Sequence, residues 1–117
     1  MKRRMILLLC CWLGALSVLE AKDEKMTVRL RDGRIQEYVK GSLRRSYGSN
    51  LIDCSTDGEV VAAVTRDRRI AEFRNGSQIR TYGSKVVRVR VVSGTVFADL
   101  ENGRTAEYVN GSLRRTF

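Results

Sequence analysis

From Met26 onward the chain alternates apolar and polar residues through stretches of 5 to 7 positions, as in "MTVRLR" from Met26 and "TVFADLE" from Thr95. A period of two places every second side chain on the same face of a β-strand. Between the stretches stand Asp32-Gly33, Asp57-Gly58, Asn75-Gly76, Asn102-Gly103 and Asn110-Gly111, with further boundaries at Gly48-Ser49 and Gly83-Ser84. Asn-Gly and Asp-Gly pairs supply the positive φ that tight hairpin turns require. Outside the first 21 residues the apolar positions show no helical spacing, and the stretches are short and rich in Val, Ile, Thr and Tyr. The pattern predicts an all-β chain of antiparallel hairpins and excludes α-helical repeats of similar length.

The same pattern recurs. "DGRIQEYVKGSLRRSYGS" from Asp32, "DRRIAEFRNGSQIRTYGS" from Asp67 and "NGRTAEYVNGSLRRTF" from Asn102 are spaced 35 residues apart without insertion. A constant period of that size is the signature of solenoids, propellers and related arrays. Residues 22–117 therefore read as one domain of three repeats, about 22–49, 50–84 and 85–117, each with four strands. The opening strand of the first repeat falls at residues 15–22, so about 11 strands are expected beyond it. With two-residue turns at Asp32-Gly33 and Lys40-Gly41, cross-strand pairing places Met26, Val28, Leu30, Ile35 and Val39 on one face, and Tyr38, Leu43 and Tyr47 on the other. The third copy then sets Val96, Ala98, Leu100 and Val109 against Phe97, Tyr108, Leu113 and Phe117. Apolar residues on both faces are more than a sheet with one wet face needs.

The segments Glu37 to Tyr47, Glu72 to Tyr82 and Glu107 to Phe117 share a glutamate, an aromatic residue, a Gly-Ser turn, an arginine and a closing aromatic residue. In this they resemble the final two strands of short-bladed bacterial β-propeller repeats, although the Trp-Asp and Gly-His marks of WD40 blades are absent. The resemblance implies three β-propeller-like blades. Propellers close with about 4 to 8 blades, so three need completion, most simply by a second chain giving six. The competing fold is a β-trefoil, which also has three four-stranded repeats; an open β-solenoid or hairpin strip is the third option.

Met1 to Ala21 opens with Lys2, Arg3 and Arg4, runs apolar from Met5 to Leu19 and turns charged at Lys22. That is the layout of a secretory signal peptide over residues 1–21, and it is shorter than the roughly 20 apolar residues of a bilayer-spanning helix. The expectation is an exported protein, periplasmic or secreted, with no transmembrane span in its mature part. A lipid attachment at Cys10 or Cys11, or a retained signal anchor, is the alternative. Cys54 is the one cysteine beyond that segment. It aligns with Val89 of the next repeat and reads as a core side chain. The net charge is +9, and without residues 1–21 it is +7. So basic a surface favours acidic partners of any kind.

The chain has no histidine. That excludes Ser-His-Asp and Cys-His catalysis, and a single remaining cysteine excludes cysteine-rich zinc clusters; an acid–base pair among Glu37, Glu72 and Glu107 is the one catalytic alternative, and the reading expected is no catalytic residue, metal or cofactor. Glu37, Glu72 and Glu107 recur once per repeat and read as cross-strand ion pairs, Glu37 with Arg44 and Glu107 with Arg114, with Ile79 in the partner's place in the middle copy. Arg45, Arg80 and Arg115 are the same in all copies and are placed on a face with Tyr38, Phe73 and Tyr108 and with Tyr47, Tyr82 and Phe117, either stacking between blades or forming a repeated ligand site. Gly41-Ser42, Gly76-Ser77 and Gly111-Ser112 read as hairpin turns rather than phosphate loops, since no helix follows them. The function expected is a non-enzymatic interaction, assembly or ligand-binding module, homo-oligomeric, with a glycan or acidic protein as further partner. The alternatives are a polyanion binder for acidic glycan, lipopolysaccharide or nucleic acid through Arg44, Arg66, Arg68, Arg69 and Arg114, and a truncated remnant of a repeat family. Export disfavours nucleic acid as the partner.

Overall fold

A computed structural model describes residues 25–117, so the signal segment and its cysteines lie outside the described residues. Eleven strands follow in chain order: β1 Met26–Arg31, β2 Arg34–Val39, β3 Ser42–Tyr47, β4 Leu51–Thr56, β5 Val61–Thr65, β6 Ile70–Arg74, β7 Ser77–Tyr82, β8 Val86–Val92, β9 Thr95–Leu100, β10 Thr105–Val109 and β11 Ser112–Thr116. They form three antiparallel meanders, β1-β2-β3, β4-β5-β6-β7 and β8-β9-β10-β11. The first sheet has three strands and the others four. No helix among these residues is long and apolar enough to cross a membrane.

The sheets stack face to face in chain order, the first on the second and the second on the third. Substantial strand contacts join only neighbouring sheets, and no barrel closes. Two cores result. Ile35, Tyr47 and Leu51 pack with Val61, Ala63, Ala71 and Phe73, joined by Met26, Val28, Leu30 and the half-buried Cys54. On the far side of the middle sheet, Ala62, Val64, Ile70 and Tyr82 pack with Val86, Val89, Val91, Val96, Ala98, Ala106 and Tyr108. The middle strands β5 and β6 are thus buried on both faces, which explains the unbroken apolar run "VVAAV" from Val60 through β5.

Two backbone irregularities revise the expected faces. In every repeat the last hairpin contains a bulge: Glu37 pairs with Arg45 but Tyr38 with Leu43, leaving Arg44 without a partner across the ladder. Glu72 and Glu107 pair in the same way with Arg80 and Arg115, past Ile79 and Arg114. An extra residue on one strand reverses the side-chain phase beyond it. Tyr47 therefore pairs with Ile35 and joins the core face, away from Tyr38 and Leu43.

The second irregularity lies in the hairpin before it. Asp32 and Gly33, with φ of 53° and 76°, form a two-residue turn, so Arg31 pairs with Arg34. In the third repeat only Gly103 of the pair is left-handed, at 85°, and the turn runs from Leu100 to Arg104. The register slips by one residue and Tyr108 pairs with Val96, while Phe97 pairs with Glu107. Tyr108 thus shares the buried face with Val96 and Ala98, and Val109 moves to the opposite face with Phe97, the reverse of the expected grouping.

Ile70 is fully buried at the centre of the second core. Ile70→Ala is expected to destabilise the chain by about 2–5 kcal/mol, as large-to-small core substitutions do. Denaturant unfolding should show a lower midpoint with an unchanged slope.

Candidate functional site

The repeated motif resolves into a buried knot. Glu37, Glu72 and Glu107 project from the central strand of each repeat and are 2%, 5% and 7% exposed. A carboxylate at such depth needs charged or hydrogen-bonding partners. The Tyr47 hydroxyl donates to Glu37 at 2.9 Å, with Arg45 Nε 3.5 Å and Arg44 3.9 Å from the other oxygen. The Tyr82 hydroxyl donates to Glu72 at 2.9 Å and Arg80 lies 3.5 Å away. In the third repeat Arg115 Nε donates to Glu107 at 2.6 Å, and Phe117 stands where a tyrosine would be. The pairing with Arg44 and Arg114 expected from sequence is therefore corrected: the invariant arginine is the principal partner in all three copies, because the bulge advances the register by one. The signal was present in the chain, since Ile79 interrupts the first pairing and nothing interrupts the second.

The arginines do not share a face with Tyr38, Phe73 and Tyr108, since each of these aromatics follows its glutamate directly and points the other way. The contact between sheets is ring on ring instead. Tyr47 meets Phe73 with centroids 5.2 Å apart, and Tyr82 meets Tyr108 at 4.9 Å. Beside each ring pair the arginine stem crosses the next repeat's turn. A Cβ at Gly76 would fall 2.9 Å from Arg45 Cδ, and one at Gly111 would fall 2.7 Å from Arg80 Cδ. Of the expected arginine–aromatic contacts Arg115–Phe117 is a cation–π pair, and two others lie elsewhere, at Arg29–Tyr38 and Arg90–Phe97.

A second device was missed in the sequence. Asp53, Ser55 and Asp57 alternate along and just beyond β4 and accept hydrogen bonds from Val89, Val91 and Gly94, at 3.0, 3.2 and 2.8 Å. They satisfy backbone N–H groups of β8, the edge strand of the third sheet, and of the turn that follows it. Their period-2 spacing was the available signal. Burial pushes the Asp57 carboxyl up, but the N–H groups of Val60, Glu59 and Gly94 outweigh it, so the carboxyl is held below its ordinary range. Burial raises the Cys54 thiol to about 11, with the Asp53 charge adding to it. A thiol so raised is a poor nucleophile.

The five arginines expected to bind a polyanion divide between two places. Arg44 and Arg114 sit on the bulges of the edge strands β3 and β11. Arg66, Arg68 and Arg69 occupy the turn after β5, all exposed. That turn stands between its equivalents in the neighbouring sheets: Leu51, bonded to Gly33 of the first turn, pairs with Thr65, and Val86, bonded to Arg68, pairs with Leu100 at the third turn. Arg31, Arg34, Lys85 and Arg104 are exposed along the same ridge. Among the described residues no cluster of acidic or cysteine side chains is placed to hold a metal ion.

The family described as Helicobacter pylori IceA2 protein matches the chain in two overlapping stretches, residues 25–70 and 66–117, and the chain belongs to that family. A double match is what a repeat-built chain gives. No curated protein matches.

Burial, reinforced by the hydrogen bond and charge of the neighbouring glutamate, raises the Tyr47 and Tyr82 phenols above the ordinary tyrosine range. The folded state keeps both protonated, so their stabilisation is complete below about pH 10 and is lost as pH rises through the raised values. In an alkaline absorbance titration these two tyrosines should ionise late and together with unfolding, and Tyr82→Phe should remove one late group. Asp57 has the opposite sign: its contribution is present above the ordinary carboxylate range near pH 4 and is lost as pH falls through its lowered value. Asp57→Asn should cost about 1–3 kcal/mol at pH 7 and flatten the acid limb of the stability profile.

Proposed function

We propose that this member of the IceA2 family is an exported, non-enzymatic interaction module whose three sheets are propeller-like blades completed by a second copy. The observation that carries the reading is the use made of the repeated polar residues. Glu37, Glu72 and Glu107 are all engaged by an arginine of their own repeat, as residues that hold a sheet together are, and not left facing a cleft as acid–base pairs are. Meanwhile apolar side chains stand uncovered on the outer sheets, Leu43 at 54% and Val92 and Phe117 at 56% and 58%. Export rests on the layout of Met1 to Ala21. The exported chain should begin after Ala15 or Ala21, which the intact mass of the secreted or periplasmic protein checks. Its solution mass by light scattering should be at least twice that of the monomer and indifferent to salt; a folded monomer would sink the self-assembly reading.

A second reading, a polyanion binder, is favoured by the ridge of Arg31, Arg34, Arg66, Arg68, Arg69, Lys85 and Arg104. It uses only part of the set expected from sequence, since Arg44 and Arg114 stand on other strands and Arg44 leans toward Glu37. Reversing Arg66, Arg68 and Arg69 to Glu should then abolish retention on immobilised heparin, whereas reversing Arg44 and Arg114 should leave most of it. Retention should fall steeply with salt, as release of counterions demands. Equal effects from both sets would mean a diffuse charge effect without a site.

A further inference from the structure

The two junctions between sheets inside the chain are built alike, and each has a donor half and an acceptor half. The donors are Arg45 with Tyr47 and Arg80 with Tyr82; the acceptors are Phe73 with Gly76 and Tyr108 with Gly111. One repeat further along, the donor half recurs as Arg115 with Phe117. One repeat back, the acceptor half recurs as Tyr38 with Gly41. Both of these terminal halves lack a counterpart among the described residues. A Cβ at Gly41 would meet nothing within 4 Å, unlike those at Gly76 and Gly111. The Lys40-Gly41 turn, at φ 54° and 80°, has nearly the dihedrals of Asn75-Gly76, 54° and 80°, and of Asn110-Gly111, 51° and 80°. It therefore offers an arginine stem the same backbone surface.

At the other end Phe117 is 58% exposed and the Arg115 guanidinium lies 5.1 Å from its ring. Beside it a hollow of about 300 Å³ is lined by Arg90, Val92, Phe97 and Phe117. The equivalent positions in the middle sheet, Ser55, Asp57, Ala62 and Tyr82, lie on the face that the third sheet covers.

We propose that Arg115 and Phe117 of one copy dock on Gly41 and Tyr38 of a second copy, continuing the stack across molecules through the junction already used twice within the chain. The inference rests on the self-assembly reading above and names its surface. Phe117 would take the place at Tyr38 that Tyr47 takes at Phe73, sharing or displacing Arg29, whose guanidinium now lies 5.3 Å from the Tyr38 ring. The contact is heterologous, so two junctions close a ring of six sheets and unlimited repetition gives a filament.

Light scattering on the whole chain tests this with Phe117→Asp, Tyr38→Asp and their equimolar mixture, each checked for β structure by circular dichroism. The unsubstituted chain should be a discrete dimer or a longer assembly, either of which fits the junction. Each variant alone should be a monomer, and the mixture should restore a one-to-one dimer, because each variant supplies the half that the other has lost. Gly41→Ala, which puts a methyl group in the path of Arg115, should weaken association at least tenfold. An oligomer that survives both Asp substitutions, or a mixture that stays monomeric beside an oligomeric unsubstituted chain, would overturn the junction and leave self-assembly standing. A monomeric unsubstituted chain would overturn both, and leave the heparin experiment to decide on an outside partner.

Discussion

A carboxylate buried in the face of a β-sheet has to be compensated where it stands, and the compensation of Glu37, Glu72 and Glu107 organises this stack. The partner is an arginine on the neighbouring strand, reached only because one extra residue bulges out between the glutamate pair and the aromatic pair. The same bulge brings Tyr47 and Tyr82 to the face of their glutamates, where the hydroxyl completes the knot and the ring reaches the next sheet. One backbone irregularity thus settles the charge within a sheet and the contact between sheets. Breaking a buried pair of this kind by removing one partner costs more than the pair contributes, since the remaining charge stays buried.

The glycines of the following turns are the other half of that contact. Gly76 and Gly111 are needed for their left-handed φ and also because a side chain would strike the arginine stem of the preceding repeat. The turn is therefore a docking surface as well as a reversal of the chain. Arg45 and Arg80 cover it with methylene groups while their heads stay with the glutamates, the division of labour that long basic side chains permit.

The outer sheets differ from the middle one where they have no neighbour. Val64 and Ile70, buried in the middle sheet, are matched in the third by Asp99 and Thr105, and Asp99 is held by Arg88 at 3.1 Å and Arg90 at 3.2 Å. On the first sheet the two-residue turn at Asp32-Gly33 shifts β1 by one position and sends Thr27, Arg29 and Arg31 outward, with Met26, Val28 and Leu30 toward the core. Polar outer faces on end repeats are what a stack of sheets requires for solubility. They leave the apolar contacts at Phe117 and beside Gly41 as small features on otherwise charged ends.

Alternation and turn chemistry by themselves determined the all-β character, the strands, the three repeats and the turns at Lys40-Gly41, Asn75-Gly76 and Asn110-Gly111, because these are local properties of strands and of positive φ. The hydrophobic face of β1 was legible for the same reason. The partners of the glutamates, the faces of Tyr47 and Tyr108 and the Asp53-Ser55-Asp57 ladder were decided only by tertiary structure. A bulge and a lengthened turn each cost one residue of register, and one residue reverses every side chain that follows. No alternation within a single strand records that choice, because it is made by which face buries more apolar surface once the neighbouring sheet is in place.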